Sequence, residues 1–182
     1  NIRETDAILH VLRCFDDGNI VHVDGSVDPV RDKEVVDAEL QIKDLETVEN
    51  RLAKASKQAK TGGDKDAKKL VDLLERYREA LLAGKSCRTV ELSAEEEGMA
   101  KDLFLLTNKP VMYICNVDDK SAVNGNAYVD AVREAVKEEN AEILIISART
   151  EAEIAEMDSY EDRQMFLDEM GLTESGSARL IQ

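Results

Sequence analysis

Lys109-Pro110-Val111-Met112-Tyr113-Ile114-Cys115-Asn116-Val117-Asp118-Asp119 is the stretch that decides how this chain folds. Pro110 opens an apolar run and polar residues close it, the pattern of a short buried strand with a loop at its carboxyl end. The loop receives Asn116 and Asp119. Ligands of open α/β sheets sit outside the carboxyl ends of the strands, so this placement is informative in itself. The Asn amide both donates and accepts, and a carboxylate three residues on accepts from ring and exocyclic N–H groups. Such a pair suits the edge of a purine base. An N-x-x-D alone recurs by chance in many proteins, so its weight comes from the surroundings.

Further along, Ile143-Leu144-Ile145-Ile146 reads as a second strand and ends in Ser147-Ala148. Between the two strands, residues 127–139 carry Val129, Val132 and Val136 on one helical face. Strand, helix and strand in that order make a βα crossover, whose product is a parallel sheet with right-handed connections. Ser147-Ala148 then forms a second loop beside the first, the arrangement by which P-loop GTPases and their relatives hold a base. The plainer reading is that Asn116 and Ser147 merely end strands.

The phosphate side of such a site is not legible. No G-x-x-x-x-G-K-[ST] occurs in the 182 residues, so no stretch cradles a triphosphate or holds its Mg²⁺. Asp168-Glu169-Met170-Gly171 matches D-x-x-G, but it closes an acidic helical stretch and Gly171 reads as a helix cap. We therefore assign no catalytic and no metal-binding residue. Without the phosphate-cradling motif the chain reads as half of a nucleotide-binding domain, and a start on Asn1 rather than Met suits a fragment.

Composition bounds the rest. With 43% hydrophobic residues the chain is long enough for one good core, or a core plus an appendage. Nothing resembles a signal peptide or a membrane span. Cys14, Cys87 and Cys115 are too few and too scattered for a disulfide framework or metal cluster, which points to reducing cytoplasm. His10 and His22 lie in strand-like segments without acidic or Cys partners at ligand spacing, and read as structural.

The net charge of −15 argues against a nucleic-acid partner until its distribution is considered. Between residues 31 and 84, twelve Lys and Arg balance twelve Asp and Glu. Within that span Arg51, Lys54, Lys57, Lys60, Lys65, Lys68 and Lys69 face only Asp64 and Asp66 between residues 51 and 69. Val35, Ala38, Ile42, Leu45, Val48, Leu52, Ala55 and Ala59 recur every three or four residues, predicting a helix of about 40 Å with near-heptad packing. Thr61-Gly62-Gly63-Asp64 breaks it, with Asp64 as the next N-cap. A second helix carries Ala67, Leu70, Leu74, Tyr77 and Leu81. The expectation is an antiparallel coiled-coil hairpin with a cationic tip, fit to probe an RNA backbone. No aromatics interleave there, so base stacking is not expected. A solvated, Lys-rich helix end is the alternative.

These residues converge on a resemblance. Residues 1–15, Gly62-Gly63-Asp64-Lys65-Asp66-Ala67, Leu92-Ser93-Ala94-Glu95-Glu96 and Lys109-Pro110 through Asn116-Val117 closely resemble the YchF/Obg-like ATPase family. The resemblance runs in order over essentially the whole chain. It implies a GTPase-type domain interrupted by a coiled-coil insertion, with the P-loop and switch segments before Asn1 and a TGS domain after Gln182. It also implies a cytoplasmic, ribosome-binding hydrolase that uses Mg²⁺ with ATP in preference to GTP. Carried over residue by residue, the base site is Asn116, the Val117 backbone, Asp119, Ser147 and Ala148, and the ribosome or rRNA contact falls on the basic tip.

This sequence has Val117 where GTPases place Lys, and Asp119 where the family usually has Glu. Loss of the Lys removes a stem that packs across the base, while Asp119 supplies the shorter carboxylate that pairs with guanine. Adenine has an acceptor at N1 and repels a carboxylate aimed there. For ATP to win, Asp119 must point away and backbone near Val117 must read the adenine amino group. A GTP-preferring enzyme stays open, as does a helical RNA- or protein-interaction module without nucleotide function. The expected organisation is α/β: residues 1–30 and 93–182 form the nucleotide-binding part, and 31–92 the hairpin and its return. The isolated chain is expected to hydrolyse nothing.

Overall fold

Val111–Asn116 forms the middle strand (β2) of a three-stranded sheet, flanked by Ile8–Arg13 (β1) and Ile143–Ile146 (β3). This is seen in a computed structural model that describes residues 1–16 and 26–182. β2 and β3 run parallel, pairing Tyr113 with Ile143 and Asn116 with Ile146. The β1 amides of Ile8 and, just beyond the strand, Cys14 donate to Pro110 and Asn116 at 2.9 and 2.7 Å, the constant offset of a parallel pair. The predicted crossover helix is Ala127–Val136 (α4), capped by Asn126, whose Oδ1 accepts from the Val129 amide. The Asn126 Nδ2 donates to the Cys14 carbonyl at 2.7 Å, which ties the helix start to the sheet. Val129, Val132 and Val136 are buried with Leu12, Cys14, Tyr113, Cys115, Val117 and Ile145. His10 lies in β1 with its ring 5.7 Å from that of Tyr113; His22 lies outside the described residues.

The described residues divide into two compact units: Leu9–Lys33 with Val111–Gln182, which holds this core, and Asn1–Ile8 with Glu34–Pro110. The second unit is built on Pro29–Gly62 (α1) from Glu34 onward and on Lys65–Leu82 (α2). α1 starts earlier than its apolar periodicity suggests. Pro29 takes the first helical position, where a missing N–H costs nothing, and the Asp28 carboxylate accepts from the Arg31 amide at 3.1 Å. Gly63, at φ +61°, ends the first helix, and Asp64 caps the second by accepting from the Asp66 amide at 2.9 Å. Ala67, Leu74, Tyr77 and Leu81 are buried as the spacing predicts, together with Leu73, Val48 and Ala55.

Three of the predicted seam positions are not in the core: Val35 is 58% and Ile42 68% exposed, and Ala38 between them is exposed as well. The stripe shifts because Asp44, wholly buried, takes a core position on α1. Its Oδ1 accepts from the Leu106 amide at 2.8 Å, and its Oδ2 from the Thr107 amide and hydroxyl at 2.7 and 2.6 Å. A third helix, Ala94–Lys101 (α3), opens on a capping box in which Ser93 and Glu96 bond each other's backbone amides. Its first turn clasps α2 through Glu95–Lys69 at 2.8 Å and the Glu96–Arg76 ion pair.

Three short helices follow β3: Ala148–Ala155 (α5), Tyr160–Glu169 (α6) and Gly176–Ile181 (α7). Ile154 and Leu167 are buried, but Met165 is exposed on α6. The D-x-x-G segment is indeed a helix end. Gly171, at φ +74°, donates to the Asp168 carbonyl and Leu172 to that of Leu167, the paired bonds of a Schellman cap. Among the described residues no helix is long and apolar enough to cross a membrane.

Candidate functional site

The two strand-end loops meet. Asn116 is the last residue of β2, and its Oδ1 accepts from the Ala148 amide at 2.9 Å. Because that partner is a donor, the oxygen of the amide must face Ala148, which leaves Nδ2 on the other branch. Ser147 follows β3 and caps α5: its hydroxyl accepts from the Thr150 amide at 3.2 Å. The same hydroxyl donates to Asp119 Oδ1 at 2.7 Å. Asp119 thus lies across the amino end of α5, where the helix dipole favours a negative charge.

Thr150, 1% exposed, donates from Oγ1 to the same Asp119 oxygen at 2.7 Å. Arg149 adds an exposed guanidinium 3.8 Å from Oδ2. The hydroxyls of Thr150 and Ser147, helped by the Arg149 charge, hold the Asp119 carboxyl below its usual range, so it stays ionised. Val117 packs its side chain into the core and donates its N–H to the Ile146 carbonyl at 2.9 Å. The Val117 carbonyl is therefore its group of the right polarity for an amino-bearing base. Ala148 is exposed beside these groups.

Asn116, Val117, Asp119, Ser147 and Ala148 are thus brought together, with Thr150 and Arg149 added to them. Those two carry no short-range signal: Thr150 lies 31 residues from its carboxylate partner. The loop is also braced from beyond α5. Glu151 accepts from the Gly176 and Ser177 amides at 2.6 and 3.2 Å, and Arg179 donates to the Ile145 carbonyl at 2.7 Å.

The basic residues divide. Lys54, Lys57 and Lys60 on α1 and Lys65 and Lys68 on α2 are exposed. Arg51 donates to the Asp102 carbonyl at 3.4 Å and Lys69 is paired with Glu95, so these two are held on their own unit. No group of three or more His, Cys, Asp or Glu among the described residues could hold a metal ion.

Comparison with known proteins shows what the chain is similar to. The chain is 45% identical over its whole length to the ribosome-binding ATPase YchF of Bacillus subtilis. The chain belongs to the YchF/Obg-like family. It is likewise 45% identical throughout to the ribosome-binding ATPase YchF of Escherichia coli O157:H7, and 36% identical over 80% of its length to Obg-like ATPase 1 of Saccharomyces cerevisiae. The solved YchF GTPase of Schizosaccharomyces pombe superposes with a TM-score of 0.86 at 28% identity, covering 98% of this chain and 49% of that one. A scan against protein-family models finds no match. The chain spans about half the length of the curated YchF relatives it matches.

Proposed function

We propose that this chain is the base-recognising half of a cytoplasmic, ribosome-binding nucleotide hydrolase that prefers ATP and accepts GTP less well. The observation that carries the reading is the junction of Asn116 with Ala148 and of Asp119 with Ser147, which assembles two loops outside the carboxyl ends of adjacent parallel strands. Adenine preference is supported by the commitment of Asp119 Oδ1 to two hydroxyls, which takes the carboxylate out of the role guanine needs. The amino group of adenine is then met by the Val117 carbonyl, and Asn116 addresses the ring through its amide nitrogen. Phosphate and Mg²⁺ binding belong to other residues of the full-length parent, and no step of hydrolysis is assigned to a residue of this chain.

The finer organisation belongs to the same reading. Residues 1–30 and 93–182 form the nucleotide-binding part, and 31–92 a coiled-coil arm made of α1 and α2. The arm meets the ribosome through Lys54, Lys57, Lys60, Lys65 and Lys68, whose charge binds phosphate without reading sequence. The test of the base site is Asn116→Ala in the full-length parent. Losing the bond that joins the loops is expected to weaken Mg-ATP binding by about tenfold or more, with helix content unchanged. Unchanged affinity would remove Asn116 from the site.

A further inference from the structure

A guanine edge offers two donors, N1–H and the exocyclic amino group, and a carboxylate reads it by giving one oxygen to each. Each carboxylate oxygen has about two acceptor positions. One hydroxyl on Asp119 Oδ1 would still leave a position for the base. Here there are two, from Ser147 and Thr150, both at 2.7 Å. The second is firmly placed: Thr150 is buried on the third residue of α5, and its amide is anchored on Ser147 Oγ at 3.2 Å. Among the described residues, the remaining oxygen, Oδ2, is faced by the exposed Arg149 guanidinium at 3.8 Å.

We propose that Thr150 is the specificity-determining positioning residue of the base site: its hydroxyl fills the last acceptor position on Asp119 Oδ1 and so withholds the carboxylate from guanine. This rests on the base-site reading above and deepens it. A guanine that enters finds one oxygen instead of two and leaves a donor unpaired, a loss that buried sites penalise heavily. Adenine asks nothing of Asp119 and gains from its being turned aside, because a carboxylate aimed at adenine N1 would be repelled.

The test uses the full-length parent and titrates Mg-ATP, Mg-GTP and Mg-ITP against wild type, Thr150→Val and Thr150→Ser. Inosine keeps the N1–H donor but lacks the exocyclic amino group, so the GTP-to-ITP affinity ratio reports two-oxygen pairing by Asp119 directly. A loosened loop would not move it. Thr150→Val is expected to raise both the GTP-to-ITP and the GTP-to-ATP affinity ratios by about tenfold, one hydrogen bond's worth. Thr150→Ser, which keeps the hydroxyl, returns both to wild-type values. Thr150→Ala removes the same hydroxyl and replaces the valine variant if that does not fold. Unchanged ratios on losing the hydroxyl, or a serine variant that behaves like valine, overturn the assignment of Thr150 while leaving the base site standing. A wild type that binds GTP more tightly than ATP overturns the adenine reading itself, and this inference with it.

Discussion

Asp44 shows how far a single residue departs from the pattern around it. It interrupts the apolar stripe of α1, yet it is wholly buried, because three donors from Leu106 and Thr107 meet its two oxygens. A buried carboxylate so satisfied acts as a clamp on the 105–107 turn. Asp44→Asn puts a donor where Oδ2 or Oδ1 accepts, and is expected to cost about 2–3 kcal/mol in urea unfolding; a change under about 0.5 kcal/mol would deny the clamp. Asp119 titrates in the opposite setting, partly open and held ionised by Thr150, Ser147 and Arg149. Its folded pKa lies below its unfolded value, so its contacts stabilise the fold above about pH 4 and that contribution is lost as pH falls through the folded value. The stability gap between wild type and Thr150→Val should accordingly be full at pH 7 and shrink below about pH 4 in denaturant unfolding. A gap that widens in acid would reverse the sign we assign. Neither Asp44 nor Thr150 was legible as a key residue, since their partners lie 62–63 and 31 positions away and no local pattern encodes such distances.

Elements were far more legible than residues. The β2 stretch, the α4 crossover and the buried Ala67-Leu74-Tyr77-Leu81 face all follow from local periodicity, and Gly171 from helix-cap chemistry. Periodicity misled in α1, where Val35 and Ile42 keep the spacing of a seam yet stand exposed. Spacing reports which positions share a helical face, not which stretch of that face another element covers. The α7–β3 contact was equally hidden, because it depends on the absence of a side chain. A Cβ on Gly176 would meet Ile146 Cγ1 at 2.7 Å and Glu151 Oε1 at 3.0 Å. Gly176→Ala is thus expected to destabilise by about 1–3 kcal/mol in thermal or urea unfolding; a neutral outcome would mean that α7 shifts freely on the sheet.

At the scale of the whole molecule, charge placement outweighs charge total. The chain carries −15, yet the end of the α1–α2 pair presents exposed Lys54, Lys57, Lys60, Lys65 and Lys68. Reversing these five to Glu in the full-length parent is expected to reduce ribosome binding with a flattened salt dependence, while nucleotide affinity stays put. Ribosome binding that survives reversal would leave the lysines as a solvated helix end. The isolated chain, which carries neither a P-loop motif nor a metal-ligand cluster among its described residues, is expected to show no Mg-dependent ATP turnover. The central claim is that the loops at the ends of β2 and β3 read adenine because Asp119 is turned aside. Calorimetric titration of the full-length parent with Mg-ATP and Mg-GTP side by side tests it most directly. Tighter binding of ATP is the predicted result; tighter binding of GTP would mean that Asn116 and Asp119 work as a guanine site, and would contradict the account.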